Sequence, residues 1–153
     1  FTSLDPFRIK VSGRTKHFIN AFGEELIVDN AEKAMAKACA ETGAKVRDYT
    51  AAPVYMQNKE AGAHEWAIEF DEMPADMNQF AVALDQAIKA LNSDYEAKRF
   101  MDKILKMPII RAVPRETFYT WMKSRNKLGG QNKVPRLSNN RDYMEQILEI
   151  ANA

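Results

Sequence analysis

Hydrophobic and polar residues alternate most regularly over positions 64–70. The set His64, Trp66, Ile68 and Phe70 alternates with Glu65, Ala67 and Glu69. This period of two predicts a β-strand with one face in a hydrophobic core and the two glutamates on a solvated face. A partner strand is predicted over residues 45–56, where Pro53 marks a bulge or a sheet edge. The resulting hairpin should form the centre of a sheet.

Helical spacing of apolar residues predicts the elements that cover this sheet. The predicted helices span about 29–42, with a cap at Asp29 or Asn30 and a stop at Gly43, and then 80–91, 94–105, 114–122 and 143–150. Further short strands are predicted over 7–11, 17–22 and 109–113. The fold class that follows is α+β, a small antiparallel or mixed sheet with helices packed on it.

Length and composition fit one domain. The chain has 153 residues, 46% of them hydrophobic, which is enough for a core of its own. Its first residue is Phe1 rather than Met, so we expect a piece of a longer protein. No apolar run approaches the roughly 20 residues that span a bilayer, and we therefore expect a soluble, cytoplasmic domain. The single cysteine, Cys39, lies in a helical run of small residues and is assigned no role.

The charge of the chain is unevenly distributed. The formal net charge is only +1, yet residues 111–141 contain eight basic residues and a single acidic one, Glu116. Such a region is a solvated face or a surface that meets phosphate or nucleic acid. No complete active-site motif accompanies it, because the chain lacks a glycine-rich phosphate loop, a paired CxxC and an HExxH motif. His17 and His64 are too few for a metal site, so none is predicted.

Two short segments carry the candidate chemistry. The first, residues 12–26, has a glycine corner that presents Arg14 and Lys16, and a guanidinium there suits contact with a phosphate or a ribose. The second, residues 128–137, places a glycine pair ahead of Lys133, so that a mobile loop could deliver one ammonium to a transition state that gathers negative charge. From the residues alone, an ordinary surface turn remains the alternative for each segment.

Both segments resemble known motifs. Residues 13–16 together with Ile19 and Gly23-Glu24 resemble the hinge motif of the adenylate-forming superfamily, which includes acyl-CoA synthetases and firefly luciferase. Residues 91–99, Thr117-Phe118 and residues 131–136 resemble the auxin-responsive promoter family, whose plant members are acyl-acid amido synthetases that conjugate jasmonate or indole-acetate to amino acids. We take the chain for the C-terminal lid domain of such an enzyme, from a bacterial member.

The resemblance implies a two-step ligase reaction. A carboxylic acid attacks the α-phosphate of ATP to give an acyl-adenylate and pyrophosphate, and an amine such as an amino acid then displaces AMP. ATP and Mg²⁺ would be bound mainly by a large N-terminal adenylation domain of the same protein, which is missing here, so the isolated domain should be inactive. Residues 1–153 would form a single C-terminal lid domain, with strand and hinge in 1–16 and the lid proper in 17–153. No nucleic acid or membrane partner is expected.

The resemblance also implies roles for individual residues. Lys133 matches the lysine that the lid inserts during adenylation and is the predicted catalytic residue. Arg14 and Lys16 match hinge-motif positions that approach the nucleotide, and Lys16 could act as hinge, as nucleotide ligand or as both. Asn20 and Glu24 are predicted to shape the channel for the acceptor amine.

Two other functions fit parts of the sequence. A non-catalytic regulatory or interaction domain would be indifferent to nucleotide and to Lys133. A small nucleic-acid-binding module is suggested by the basic residues 111–141 with Phe118, Tyr119 and Trp121 among them, since aromatic side chains beside a cationic groove hold single strands. The helical spacing of Phe118 and Trp121 favours a core position instead.

Overall fold

The computed structural model describes residues 18–55, 61–102, 104–127 and 133–152. The strands are β1 (Phe18–Ile19), β2 (Leu26–Ile27), β3 (Lys45–Tyr55), β4 (Gly62–Glu72) and β5 (Ile109–Val113). The helices are α1 (Val28–Thr42), α2 (Met77–Leu91), α3 (Ser93–Arg99), α4 (Thr117–Ser124) and α5 (Asp142–Ala151). The predicted α+β class is confirmed, whereas the strand predicted over 7–11 lies outside the described residues. Within the described residues, no helix is long and apolar enough to cross a membrane.

The main sheet is mixed and has the order β3-β4-β5. Strands β3 and β4 are antiparallel, and β5 runs parallel to β4 on its other side. Pro53 pairs with His64 on the edge strand β3, where a residue without an N–H is tolerated. The irregularity in β3 lies between Lys45 and Asp48, away from the proline. The hairpin was predicted to form the centre of the sheet, and this is right for β4 but wrong for β3, which is an edge strand. Pro53 marks that edge rather than a bulge.

A small hairpin precedes α1. The strand predicted over 17–22 is only Phe18–Ile19, paired with Leu26–Ile27. The turn between them holds Gly23 at φ 86° and Glu25 at φ 44°, and such left-handed backbone ends the extended run.

Several helix ends differ from prediction, including the starts of α2 and α4, and two of the differences have a visible cause. Helix α1 begins at Val28, because the side chain of Asn30 accepts a hydrogen bond from the N–H of Ile27 at 3.2 Å and so caps the helix from within its first turn. The helix predicted over 94–105 ends at Arg99 and is followed by a single 3₁₀ turn. Leu105 is drawn to the sheet by a bridge to Gly62, which forces the chain out of the helical path.

The two faces of β4 bury different kinds of side chain. The first, the α1–α2 face, is formed by His64, Trp66, Ile68 and Phe70 and packs on α1 and α2. The second, the α4–α5 face, is formed by Glu65, Ala67 and Glu69. Ala67 packs there on a cluster that includes Phe118, Trp121, Met122, Met144 and Ile147.

The prediction of a solvated face for Glu65 and Glu69 is wrong. Glu65 and Glu69 are buried, with only 4% and 1% of their surface exposed. Helices α4 and α5 cover this face, and both carboxylates find hydrogen-bond donors beneath them, which a buried charge requires.

A buried polar network explains residues 91–99. The guanidinium of Arg99 donates to both oxygens of Asp85 at 2.7 and 2.8 Å, and the Tyr95 hydroxyl donates to the same carboxylate at 2.7 Å. Burial opposes ionisation of Asp85, but the hydrogen bonds from Arg99 and Tyr95 outweigh it and lower the pKa of that carboxyl. Asn92 caps α3 by accepting from the N–H of Tyr95. These contacts give residues 91–99 a structural role.

Candidate functional site

A surface cleft of about 400 Å³ opens at one end of the α4–α5 face. We call it the Lys133 cleft. It is lined by Arg47, Asp48, Glu69, Glu116, Phe118, Tyr119, Met122, Lys127, Lys133, Val134 and Arg136. The predicted catalytic lysine therefore lies in a concave site in which the end of β4, the start of α4 and the segment before Leu137 meet.

Glu69 fixes the inner wall of the cleft. Its Oε1 accepts a hydrogen bond from the N–H of Phe118 at 3.1 Å, and its Oε2 accepts from the N–H of Glu116 at 3.0 Å. These donors belong to the start of α4, where backbone N–H groups have no partner within the helix. A carboxylate at this position also interacts favourably with the helix dipole. Glu69 thus anchors α4 on β4 at the edge of the cleft.

The two arginines of the cleft are both engaged. Arg136 donates to Asp48 at 3.1 Å and to the carbonyl of Tyr49 at 3.0 Å, and its guanidinium lies 4.4 Å from the centre of the Tyr49 ring. Arg47 donates to Asp71 at 3.0 Å. Their charges are therefore offset by neighbouring groups.

The charges of the two lysines in the cleft are not offset by neighbouring groups. Lys127 and Lys133 are exposed, and across the described part of the chain neither ammonium has an ion-pair or hydrogen-bond partner. An uncompensated ammonium in a concave site can bind an anionic group or stabilise developing negative charge.

The remaining predicted site residues lie elsewhere. Arg14 and Lys16 are outside the described residues. Asn20 is exposed, and its side-chain oxygen accepts from the N–H of Glu25 at 3.1 Å. Glu24 is fully buried, with Oε2 2.6 Å from Nε2 of His64. Neither Asn20 nor Glu24 lines the Lys133 cleft.

Two of the basic residues in 111–141 share one buried acid on β4. Arg111 and Arg141 each donate to Glu65 at 2.7 Å. Burial raises the pKa of Glu65, but the hydrogen bonds from both arginines outweigh it and hold the pKa below its ordinary value. Phe118 and Trp121 are 2% and 1% exposed, so they cannot stack on bases. Two of the three aromatic residues that suggested a nucleic-acid module are therefore core residues, whereas Tyr119 is 52% exposed and lines the Lys133 cleft.

Sequence reasoning missed Glu69 and Lys127 as parts of the site. A signal for Glu69 was present, because the predicted helices around residues 118–122 and 143–150 also have apolar faces that must cover a sheet. Lys127 carried no signal of its own, since its place in the cleft depends on how α4 ends.

The described residues contain no group of three or more His, Cys, Asp or Glu side chains that could hold a metal ion.

Comparison with known families decides the broader class. Residues 29–142 match the sequence profile of the GH3 family C-terminal domain. The chain belongs to the GH3 family. This confirms the resemblance to the auxin-responsive promoter family, and the matched range contains every described residue of the Lys133 cleft.

Two solved structures share the fold of this GH3 domain. One is described as "GH3.15 acyl acid amido synthetase", with 20% sequence identity and a TM-score of 0.68 over 92% of this chain. The other is "AtGH3.15 acyl acid amido synthetase in complex with 2,4-DB", with 18% identity and a TM-score of 0.68 over 90% of this chain. The GH3 chain described here spans 26% of the length of each. No curated protein sequence matches it at a significant level.

Proposed function

We propose that this GH3 domain is the mobile C-terminal lid of an ATP-dependent acyl-acid amido synthetase, and that Lys133 supplies positive charge to the adenylation step. Family membership supports the ligase class. When a carboxylate attacks the α-phosphate of ATP, negative charge gathers between the two groups, and an ammonium held close by stabilises the transition state. An N-terminal domain of the same protein would bind ATP, Mg²⁺ and the acid, and an amine would then displace AMP.

One observation carries the role of Lys133. Its ammonium is free among the described residues, while Arg136 and Arg47 in the same cleft are held by acids. A charge that is already paired must lose its partner before it can act on a substrate, and this loss costs free energy. Lys133 has no such partner to lose. Lys127 shares this property, and the match of Lys133 to the family motif distinguishes the two.

Glu69 would act as a positioning residue in this proposal. It touches no reacting atom, but it ties the first turn of α4 to β4 and so holds one wall of the cleft. A wall that is fixed by two hydrogen bonds keeps the cleft in one shape when a ligand enters.

The hinge residues remain part of the proposal on the strength of the motif alone. Arg14 and Lys16 would contact the nucleotide beside the pivot. Asn20 would shape the acceptor channel, together with Glu24 through the hairpin that Glu24 stabilises. Each of these roles predicts a loss of amide formation on substitution with alanine, measured with the full-length protein.

The decisive experiment measures ATP–pyrophosphate exchange by the full-length protein over a panel of carboxylic acids. Lys133→Ala should lower exchange about a hundredfold, the scale on which one preorganised electrostatic contact contributes. Amide formation from a preformed acyl-adenylate should change little, because Lys133 is assigned to the first step only.

Lys123→Ala is the matched control. Lys123 is an exposed lysine of α4 that does not line the cleft. Its substitution should leave exchange within about twofold of wild type. Equal exchange by wild type and Lys133→Ala would remove Lys133 from the mechanism. Absence of exchange in both, over a broad panel, would favour a non-catalytic domain.

A further inference from the structure

A second and larger cleft lies at the opposite end of the α4–α5 face. Its volume is about 840 Å³, and it runs between β5 and the C-terminal half of α5. Glu65 lies at this cleft and Glu69 at the Lys133 cleft, four residues apart on β4, which separates them by about 13 Å. The two clefts share no lining residue among those that the structure describes.

Four charged side chains form a chain of alternating sign beside this second cleft. Arg111 donates to Glu65 through Nε, Arg141 donates to the other oxygen of Glu65, and Arg141 donates through Nε to Glu145, each at 2.7 Å. Glu145 is exposed and does not line the cleft, whereas Arg111 does. Arg111, Glu65 and Arg141 line the cleft, so the part of the chain at the cleft carries a net charge of +1.

Arg141 and Arg111 differ in how many of their guanidinium nitrogens already donate hydrogen bonds. Arg141 uses Nε, Nη1 and Nη2, with Nη1 donating to the carbonyl of Pro53 at 3.2 Å. Arg111 uses Nε alone, and its side chain is 57% exposed. Its two terminal nitrogens have no partner in the part of the chain that the structure describes. Because the buried carboxylate of Glu65 holds Nε, the free edge of the guanidinium has a fixed direction, which suits two parallel hydrogen bonds to a carboxylate.

Most of the other residues that line the cleft have apolar side chains. Val54, Val113, Leu148 and Ala151 contribute to it, and such a wall gains by covering an apolar ligand body. Inorganic phosphate would use the arginine but not this wall.

We propose that the cleft between β5 and α5 is a binding site for a small carboxylate with an apolar body, with Arg111 as its anion ligand. The site is separate from the Lys133 cleft and does not depend on adenylation. A ligand held between Arg111 on β5 and Leu148 on α5 would also stabilise the packing of α5 on the sheet.

The test uses the ¹⁵N-labelled 153-residue chain and two matched probes, hexanoate and hexanamide, which share an apolar body and differ in charge. Hexanoate should give saturable shifts in the amide signals of β5 and the end of α5, with a dissociation constant of about 1 mM, typical of one ion pair plus a short apolar chain. Hexanamide and inorganic phosphate should not saturate. Equal binding of hexanamide or of phosphate would overturn the proposed ligand class.

Two variants of Arg111 locate the site. Arg111→Gln should weaken hexanoate binding about tenfold, the loss expected for a charged hydrogen bond. Arg111→Lys keeps a cation beside Glu65, so it guards against loss of fold, and it should also weaken binding because it lacks the second donor arm. Arg115 and Lys133 do not line this cleft, so the variants Arg115→Gln and Lys133→Ala should bind hexanoate as wild type does. Unchanged binding in both Arg111 variants, or lost binding in Lys133→Ala, would overturn the assignment.

Discussion

The two faces of β4 are both buried, but their polar atoms are satisfied to different degrees. On the α4–α5 face, all four carboxylate oxygens of Glu65 and Glu69 accept hydrogen bonds. On the α1–α2 face, Nδ1 of His64 and Nε1 of Trp66 are buried without a partner among the described residues. The charged face is therefore the better satisfied one, because arginine side chains and the start of α4 were available as donors.

This difference bears on where a site can form. The α1–α2 face is filled by large apolar side chains, whereas the α4–α5 face is joined to its helices by directional contacts at both ends. Directional contacts hold charged groups at defined positions, and close packing alone does not. Both clefts discussed above lie on the α4–α5 face, one beside each glutamate.

The largest expected effect comes from the apolar face. Ile68 on β4 is completely buried against α1 and α2. Ile68→Ala should lower the free energy of unfolding by about 2–5 kcal/mol, because it removes buried apolar surface and leaves a cavity. Urea denaturation measures this change. Val82→Ala, at a side chain that is 46% exposed, should cost less than about 0.5 kcal/mol. A small loss at Ile68 would mean that packing is not what holds this face.

The next effect tests whether the charged face depends on hydrogen bonds. Glu69→Gln keeps the shape but leaves one acceptor oxygen for two backbone N–H groups and removes the negative charge at the start of α4. We expect the free energy of unfolding, measured by urea denaturation, to fall by about 2 kcal/mol. Glu72→Gln lies on the same strand in an exposed pair with Lys45 and should be nearly neutral. Equal effects in the two variants would show that Glu69 is dispensable for the fold.

The same contrast explains what sequence reasoning could reach. The period-two pattern at 64–70 predicted β4 and its apolar face, since transfer of those side chains from water does not depend on particular partners. It placed Glu65 and Glu69 in solvent because their donors come from residues 46 to 76 positions away along the chain. Lys133 was predicted from a motif, but the cleft around it required the covering helices.

The third effect depends on pH. The arginines hold the pKa of Glu65 below its ordinary value in the folded protein. Its contribution to folding stability is therefore fully present above about pH 4.3, the pKa of an unfolded Glu, and is lost as the pH falls through the lower pKa of the folded state. Glu65→Gln should cost about 1 kcal/mol at pH 7, because Arg111 is exposed enough to regain water.

The difference in unfolding free energy between wild type and Glu65→Gln should therefore become smaller below about pH 4. Thermal unfolding at pH 7, 5 and 3 measures it. Glu41→Gln, in an exposed pair with Lys37, supplies the baseline for a surface carboxylate. A gap that widened on acidification would contradict an ionised, arginine-bound Glu65.

The smallest expected effect on stability belongs to the residue with the largest proposed effect on activity. Lys133 is exposed and has no partner among the described residues, so Lys133→Ala should change the free energy of unfolding by less than about 0.5 kcal/mol. Urea denaturation of the 153-residue chain measures this directly. A loss near that of Glu69→Gln would mean that Lys133 supports the fold, and any fall in exchange could then be a consequence of unfolding. An unchanged midpoint would assign the fall in exchange to the ammonium itself.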